Sequence, residues 1–248
     1  AGAPALNGVT LHINRGEFVF VVGDSGSGKS TLIKLLLREL IPTKGKVWVM
    51  GHDVAKLSHW KIPKFRRNLG IVFQDFRLLK DKTVYENVAF AQRVIGESSR
   101  TIRESVPQML KMVGLSSKYK FFPHQLSGGM LQRIMIGIAM ALKPALLIAD
   151  EPTTAIDSIT QYEILEEFVR IKKEHDTAMI FITHDLGAIS KVADDLVVMN
   201  SGTIADRGSF SHILHHASDP YTRLLVEKRS AVMKKYRESI GHENGGAA

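Results

Sequence analysis

The 248-residue chain contains no cysteine. This absence excludes disulfide bonds and thiolate metal sites, and it suits a reducing cytoplasm. Long apolar runs are also missing, since none approaches the roughly 18 residues that would span a bilayer. The first 17 residues lack the basic and apolar regions of a signal peptide. We therefore expect a cytoplasmic chain without a membrane anchor, for which any role at a membrane requires a partner.

Positive charge is in excess, with a formal net charge of +8 at pH 7. Such a charge suits nucleotide phosphates, nucleic acid or an anionic membrane surface, and it does not choose among them. Hydrophobic residues make up 44% of the chain, which is enough for a sizeable core at this length. We expect a globular protein.

Short β-type runs alternate with helical stretches along most of the chain. Several of these runs are continuously apolar, as buried parallel strands are. Residues 83–113 instead have a helical pattern, with Gly96 as a break. The alternation predicts an α/β fold. The predicted strands cover residues 17–22, 47–50, 69–73, 145–149, 178–183 and 196–199.

A glycine-rich stretch, called the phosphate loop below, follows the first predicted strand and opens an apolar helix. It matches the pattern G-x-x-x-x-G-K-S in full and consists of Gly23, Asp24, Ser25, Gly26, Ser27, Gly28, Lys29 and Ser30, with Thr31 next. Its glycines let backbone N–H groups curl around a phosphate, and the helix dipole adds to the attraction. Lys29 would neutralise the outer phosphates and Ser30 would ligate Mg²⁺. A glycine-rich turn without a ligand is the alternative, which the complete match disfavours.

Two carboxylates, Asp150 and Glu151, end a later apolar strand. A phosphate loop requires an acidic strand end to position Mg²⁺ and water. Asp150 would hold the magnesium shell, and Glu151 would orient or deprotonate the attacking water. A strand that ends in solvated acids is the alternative, and the phosphate loop upstream makes it the weaker one.

A third motif narrows the class of phosphate-loop ATPase. It consists of Leu126, Ser127, Gly128, Gly129 and Met130, followed by Gln132 and Arg133. This segment resembles the signature of the ABC (ATP-binding cassette) family. Further matches occur in the family's order: Gln74 resembles the Q-loop glutamine, Asp157 belongs to a segment similar to the D-loop, and His184 resembles the switch histidine. Each match alone is weak, but together they cover almost the whole chain.

The resemblance implies a P-loop NTPase of the ABC type, with a mostly parallel core sheet, flanking helices and an inserted helical subdomain. Residues 1–248 would then form a single ABC ATPase domain. The expected parts are a RecA-like core (1–74 and 126–208), a helical subdomain (75–125), a C-terminal helical extension (209–240) and a disordered tail (241–248). The tail is expected from its small and polar residues.

The resemblance also implies an ATPase that uses ATP and Mg²⁺. The residues expected to carry catalysis are Gln74, Glu151 and His184. Those expected to bind Mg²⁺ are Ser30, Gln74 and Asp150. Those expected to bind nucleotide, besides the phosphate loop and Thr31, are Ser127, Gly128, Gly129 and Asp157. Ser127 and the glycines after it would cap the ATP that is bound to the phosphate loop of a second subunit.

The implied partners are a second ABC ATPase subunit, identical or different, and an integral membrane subunit. The chain would then lie peripherally on the inner face of a bacterial cell membrane. No nucleic-acid partner is expected. ABC proteins of DNA repair carry a long coiled-coil insertion and those of translation usually fuse two cassettes, and this chain has neither.

Different segments of the chain resemble two subfamilies of ABC ATPase. Residues 72–79 and 82–91 resemble cell-division ATP-binding proteins of the FtsE type. Residues 126–133, 151–157, 181–186 and 218–223 resemble the ATPases of oligopeptide and nickel importers. The expected function is that of an importer ATPase of the peptide or nickel type, with an FtsE-like division ATPase as the alternative. A fusion of two ABC halves, joined near residues 125–129, is a further expectation.

Two weaker patterns remain. Family members usually carry an aromatic residue near the start that stacks on adenine, whereas here no Tyr, Phe or Trp precedes Phe18. Stacking of a base is worth roughly 1–3 kcal/mol, so we expect weak base selectivity. A histidine-rich stretch could be read as a metal site, but a solvated helix end is the favoured interpretation; its residues are His212, His215, His216 and Asp219.

Overall fold

The computed structural model describes residues 4–73, 75–153, 158–184 and 192–228. Its strands are β1 (Phe18–Val22), β2 (Trp48–Val49), β3 (His52–Asp53), β4 (Leu69–Val72), β5 (Leu146–Asp150), β6 (Ala178–Ile182), β7 (Asp195–Asn200) and β8 (Thr203–Gly208). Six of them form one sheet in the order β4-β5-β6-β1-β7-β8. All neighbours in that sheet are parallel except β7 and β8. The predicted α/β fold with a mostly parallel sheet is confirmed.

Helices cover both faces of this sheet. They are α1 (Lys29–Leu36), α2 (Ile62–Arg66), α3 (Val84–Val94), α4 (Ser99–Met112), α5 (Gly128–Ala141), α6 (Ser158–His175) and α7 (Phe210–His216). Residues 220–228 are also helical. In the part of the chain that the structure describes, no helix is both long enough and apolar enough to cross a membrane.

The side chains of β1 explain the central position of this strand. Phe18 and Phe20 face the cluster that includes Phe168 of α6 and Phe181 of β6. The rings of Phe18 and Phe20 are 4.5 Å apart, and that of Phe181 lies 5.0 Å from Phe20. Val19 and Val21 pack on the opposite face with α1. Because successive side chains of a strand point to opposite faces, a fully apolar strand is stable only between two covered faces.

Two strands, β3 and β8, were not predicted from the sequence, whereas β2 lies within the predicted run 47–50. The hairpin of β2 and β3 has only two residues in each strand. Strand β8 has no apolar run and pairs antiparallel with β7 at the edge of the sheet. An edge strand has a neighbouring strand on one side only and is more exposed to solvent. Its sequence therefore lacks the continuous apolar run from which the other strands were predicted.

Helices α3, α4 and α5 pack on one another, and α5 also contacts β4. Thr83 caps α3 in a capping box with Glu86, and Ser98 caps α4. Gly96 adopts a positive φ of 90° between the two helices, as expected for a break. The boundaries 75–125 of a helical subdomain and 209–240 of an extension stay predictions. The expected disordered tail, residues 241–248, lies outside the described residues.

Candidate active site

Three parallel strands bring the phosphate loop, Asp150, Glu151 and His184 to the carboxyl-terminal edge of the sheet. Strands β5, β6 and β1 are neighbours and point in the same direction. The phosphate loop begins directly after β1, Asp150 is the last residue of β5, and His184 follows β6. The carboxyl ends of parallel strands are the usual position of ligand sites in α/β proteins.

The phosphate loop is tightly enclosed by its surroundings. Gly23 has a φ of 152°, and a Cβ at this position would lie 2.2 Å from the carbonyl oxygen of Met199 in β7. Gly28, the residue before α1, has a φ of 107°. Both values belong to the region that side chains disfavour, so glycine is required at both ends of the loop. The first turn of α1 leaves N–H groups for an anion.

Lys29 is folded over the loop. Its ammonium donates to the carbonyl oxygens of Gly23 and Asp24 at 2.7 and 2.8 Å and lies 3.3 Å from Ser27 Oγ. The side chain is only 8% exposed. Burial lowers the pKa of Lys29, while the nearby carboxylates, above all Glu151, act in the opposite direction. The loop thus holds a desolvated cation that an incoming phosphate could pair with.

Asp150 and Glu151 place two carboxylates next to this cation. Burial raises the pKa of Asp150, the neighbouring Glu151 raises it further, and Lys29 partly offsets both. Carboxyl groups at such a position accept a cation readily, because a bound cation relieves both their burial and their mutual repulsion.

Glu151 is held in an unusual conformation. Its φ is 45°, in the left-handed region that non-glycine residues rarely adopt. Its N–H donates to the carbonyl oxygen of Ile182 at 2.9 Å, which ties it to β6. From there Glu151 Oε2 lies 3.5 Å from His184 Nδ1. Strained residues of this kind cluster at functional sites, where the surrounding structure holds them in place.

The oxygen atoms present at this edge fit Mg²⁺. Ser30 is exposed in the first turn of α1, and Asp150 ends β5 with its carboxylate near Lys29. Mg²⁺ prefers oxygen ligands and is commonly bound by one or two protein groups plus phosphates. Within the described ranges no group of three His, Cys, Asp or Glu residues could hold a metal ion by itself. The histidines of α7 form no such group with the other described residues.

The signature segment lies on a different element. Ser127 is the N-cap of α5, and its hydroxyl accepts from Met130 N at 3.4 Å. Farther along, the carbonyl of Ala139 packs against Gly70 of β4. Ser127 and Ala139 are twelve positions apart along the helix, or about 18 Å. Ser127 and Gly128 are exposed.

Two predicted site residues, Gln74 and Asp157, lie outside the described residues. Two contacts with the phosphate loop were missed by the sequence analysis. Gly202 N donates to the carbonyl oxygen of Ser27 at 3.0 Å, and Asp24 N donates to the hydroxyl of Tyr221 at 2.9 Å. No local pattern marks these residues, because Tyr221 is 197 positions away from Asp24.

Comparison with known proteins agrees with this geometry. The family model described as ABC transporter matches residues 6–154, more than half of the chain. This chain belongs to the ABC transporter ATP-binding family. ABC proteins of this kind are ATPases, and the chain is therefore an ATP-binding subunit with ATPase activity.

Named relatives come from two groups of ABC ATPases. The chain is 37% identical over 244 residues to the methionine import ATP-binding protein MetN 1 of Pseudomonas savastanoi pv. phaseolicola, covering 98% of this chain and 73% of that protein. It is 44% identical over 201 residues to the cell division ATP-binding protein FtsE of Mycobacterium tuberculosis, covering 81% of this chain and 87% of that protein. Both alignments cover more than four fifths of this chain.

A solved structure supports nucleotide binding and dimerisation in this family. It is the dimeric post-hydrolysis state of the ATP-binding cassette MJ0796 bound to ADP and Pi. The TM-score is 0.75 at 32% identity, and the match covers 83% of this chain and 90% of that one. ABC ATPases act as dimers, as this neighbour does.

The expected fusion of two ABC halves is not supported. The MetN alignment spans 98% of the chain and so runs through residues 125–129, where the seam was expected. The FtsE alignment also runs through them, because 201 of 248 residues cannot fit on either side. The named relatives belong to methionine import and cell division, so the expected likeness to oligopeptide and nickel importers is not shown. Motifs of a few residues are too short to assign a subfamily.

Proposed function

We propose that this ABC ATPase hydrolyses Mg²⁺-bound ATP at the edge formed by β1, β5 and β6, and that hydrolysis drives an importer-type membrane partner. The observation that carries the chemistry is the convergence of Lys29, Asp150 and the Glu151–His184 pair on that edge. Ser30 and Asp150 would hold Mg²⁺, which would supply charge neutralisation at the nucleotide phosphates. Gln74 is proposed as a further ligand on the family resemblance alone.

Glu151 is the proposed water-positioning residue. Its carboxylate lies beside Lys29 and 3.5 Å from His184, so it can accept a proton from a water that attacks the outer phosphate. His184 would hold Glu151 in this orientation and stabilise the charge that develops on the phosphate. The strained backbone of Glu151 limits the directions in which its carboxylate can point.

The experiment that tests the chemistry compares two variants in ATP binding and in turnover. Glu151→Gln should bind ATP normally and lose at least 100-fold in turnover, about 2.7 kcal/mol of barrier, because the amide cannot accept the proton. It should also accumulate as an ATP-bound dimer. Lys29→Ala should instead weaken ATP binding itself. Near-normal turnover in the Glu151 variant would remove this residue from the mechanism.

A second subunit is proposed to complete each site. Ser127 is exposed at the start of α5, about 18 Å of helix from the contact with β4. Strand β4 is in turn separated from β1 by two strands, or roughly 14 Å between the outer two. The hydroxyl of Ser127 and the N–H groups of the two glycines after it suit a phosphate that is bound to another subunit. Asp157 is proposed at the same interface on the resemblance.

The membrane partner is proposed to dock beside α3. Large apolar side chains in and before this helix remain 38–49% exposed: Phe76, Leu79, Phe90 and Val94. Phe90 and Val94 are four positions apart, so they lie on one face of α3. An exposed apolar patch of this kind suits an apolar helical segment of an integral membrane subunit. The chain would then lie peripherally on the inner face of the cell membrane.

An importer partner is favoured over a division partner by the extent of the alignments. The MetN relative aligns over 244 residues, whereas the FtsE relatives align over 201 to 203. An importer-type ATPase thus accounts for more of the chain. The cargo classes to test are methionine, which the names of the import relatives carry, and short peptides and nickel, which the sequence analysis expected.

Reconstitution in lipid vesicles distinguishes the two partners. The chain is combined with an importer-type or a division-type membrane subunit, and the stimulated ATPase activity is measured. Stimulation by the importer subunit, lost in a Phe90→Glu variant, is expected. Stimulation by the division subunit alone would overturn the importer assignment and leave the ATPase chemistry intact.

A further inference from the structure

The first peptide group of the phosphate loop is held from both ends. Its carbonyl, on Gly23, accepts from the Lys29 ammonium at 2.7 Å. Its N–H, on Asp24, donates to the hydroxyl of Tyr221 at 2.9 Å. This peptide group therefore links the Lys29 ammonium to Tyr221, which lies in helix 220–228.

Tyr221 is itself firmly anchored. Asp219 Oδ1 accepts from the backbone N–H groups of Tyr221 and Thr222 at 2.8 and 3.4 Å, which caps helix 220–228. Asp206 of β8 accepts from Asp219 N at 3.0 Å and from Ser218 Oγ at 2.6 Å. The tyrosine ring packs against the core cluster, and burial raises the pKa of its hydroxyl. The hydroxyl is thus fixed relative to the sheet and stays neutral under ordinary conditions.

The other end of the loop is braced from the same direction. Gly202, in the turn between β7 and β8, donates from its N–H to the carbonyl oxygen of Ser27 at 3.0 Å. Strand β8 follows that turn and carries Asp206. The β7–β8 hairpin therefore supports the phosphate loop directly through Gly202 and indirectly through Tyr221.

We propose that Tyr221 is a positioning residue for the phosphate loop, which orients the Gly23–Asp24 peptide so that Lys29 and the following N–H groups are preorganised for the nucleotide phosphates. Without its hydroxyl, this peptide can rotate, and the ammonium loses a fixed carbonyl partner. A preorganised loop binds more tightly because less conformational entropy is lost on binding. The inference rests on the proposed function, since the ligand it prepares for is ATP.

The test is Tyr221→Phe in the full chain, which removes the hydroxyl and keeps the ring. The KM for ATP should rise about fivefold, the effect of one hydrogen bond, while kcat changes less than twofold, because bound phosphates reorder the loop. Tyr162→Phe is the matched control, since this half-exposed tyrosine is on α6 and pairs with Glu166. Its KM should equal that of the wild type.

A double-mutant cycle separates positioning from general packing. Asp24→Pro removes the N–H that donates a hydrogen bond to the Tyr221 hydroxyl. In that background, Tyr221→Phe should therefore have no further effect on the KM for ATP. An unchanged KM in Tyr221→Phe, or the same fivefold increase with Pro at position 24, would overturn the inference and leave the ATPase assignment standing. Unchanged ATP binding in the Lys29→Ala variant would overturn both the inference and the proposed function.

Discussion

At the scale of single residues, Asp150 meets two opposing demands. Its carboxylate must be ionised to hold a cation, yet it is placed where burial raises its pKa and where Glu151 repels it. A raised pKa means that the folded chain binds this proton more tightly than the unfolded chain. Stability is therefore lost as the pH rises through the raised pKa, and the loss is complete above it.

Replacing this carboxylate should stabilise the free protein. Asp150→Asn should raise the free energy of unfolding at neutral pH by on the order of 1 kcal/mol, as substitutions at strained functional sites often do, and abolish Mg²⁺-dependent ATP binding. The gain should shrink as the pH falls toward the ordinary value of 3.8. Urea unfolding at several pH values measures it.

Asp206→Asn is the control of opposite sign. Burial acts to raise the pKa of Asp206, but the hydrogen bonds from Ser218 and Asp219 together outweigh it and lower the pKa. This group contributes stability above its ordinary pKa, so its replacement should destabilise the protein at neutral pH. Equal effects of the two substitutions would contradict the assignment for Asp150.

Recognition of the base is a second residue-scale question. Residues 5–7 pass beside the phosphate loop: Leu6 lies against Gly28, and Asn7 N donates to the carbonyl of Gly202 at 2.7 Å. Residues 4–17 contain no Tyr, Phe or Trp. Phe18, the first aromatic residue, is fully buried. ATP and GTP should therefore bind this chain with affinities within about tenfold, roughly 1.4 kcal/mol. Isothermal titration with both nucleotides measures this, and strong adenine preference would mean that another side chain stacks on the base.

At the scale of elements, Asn87 joins α3 to the loop before it. The side chain is 4% exposed; its oxygen accepts from Leu79 N at 2.8 Å, and its amide donates to the carbonyls of Leu79, Lys82 and Thr83. This loop carries Leu79 of the proposed docking surface. A buried amide with all of its hydrogen bonds formed can hold an irregular loop in one conformation.

Asn87→Ala should cost about 2–3 kcal/mol of stability, because several buried backbone groups lose their partner. ATP binding by the isolated chain should persist, while stimulation by the membrane partner should fall. Ser98→Ala is the control: it removes the N-cap of α4, costs about 1 kcal/mol and leaves the loop intact. Thermal unfolding and stimulated ATPase activity distinguish the two variants. Full stimulation in Asn87→Ala would exclude the loop from docking.

At the scale of the whole molecule, the proposed composite site predicts complementation between subunits. Ser127→Arg should leave the nucleotide affinity of the monomer nearly unchanged and abolish dimerisation and hydrolysis, because the bulky cation would occupy the partner's phosphate site. Mixed with Lys29→Ala, it should regain part of the turnover, since one site of the heterodimer contains both intact halves. Heterodimers that form without regaining turnover would argue against shared sites.

The fold class was accessible from sequence because β1, β6 and the first four residues of β5 are buried, and burial on both faces requires a continuous apolar run. The phosphate loop was equally local, as a contiguous match between a strand and a helix. The edge strand β8 was not accessible, because it has no such run. The roles of Gln74 and Asp157 remain predictions.

Sequence alone determined the chemistry available to this protein: a phosphate loop, two carboxylates at a strand end and the family to which they belong. Tertiary structure decided which of these groups meet. Only the strand order places His184 3.5 Å from Glu151, and only the packing of helix 220–228 brings Tyr221 to Asp24. Local patterns reflect the neighbours within one element. Contacts between distant elements depend on how the whole sheet is assembled, and no short stretch of sequence contains that information.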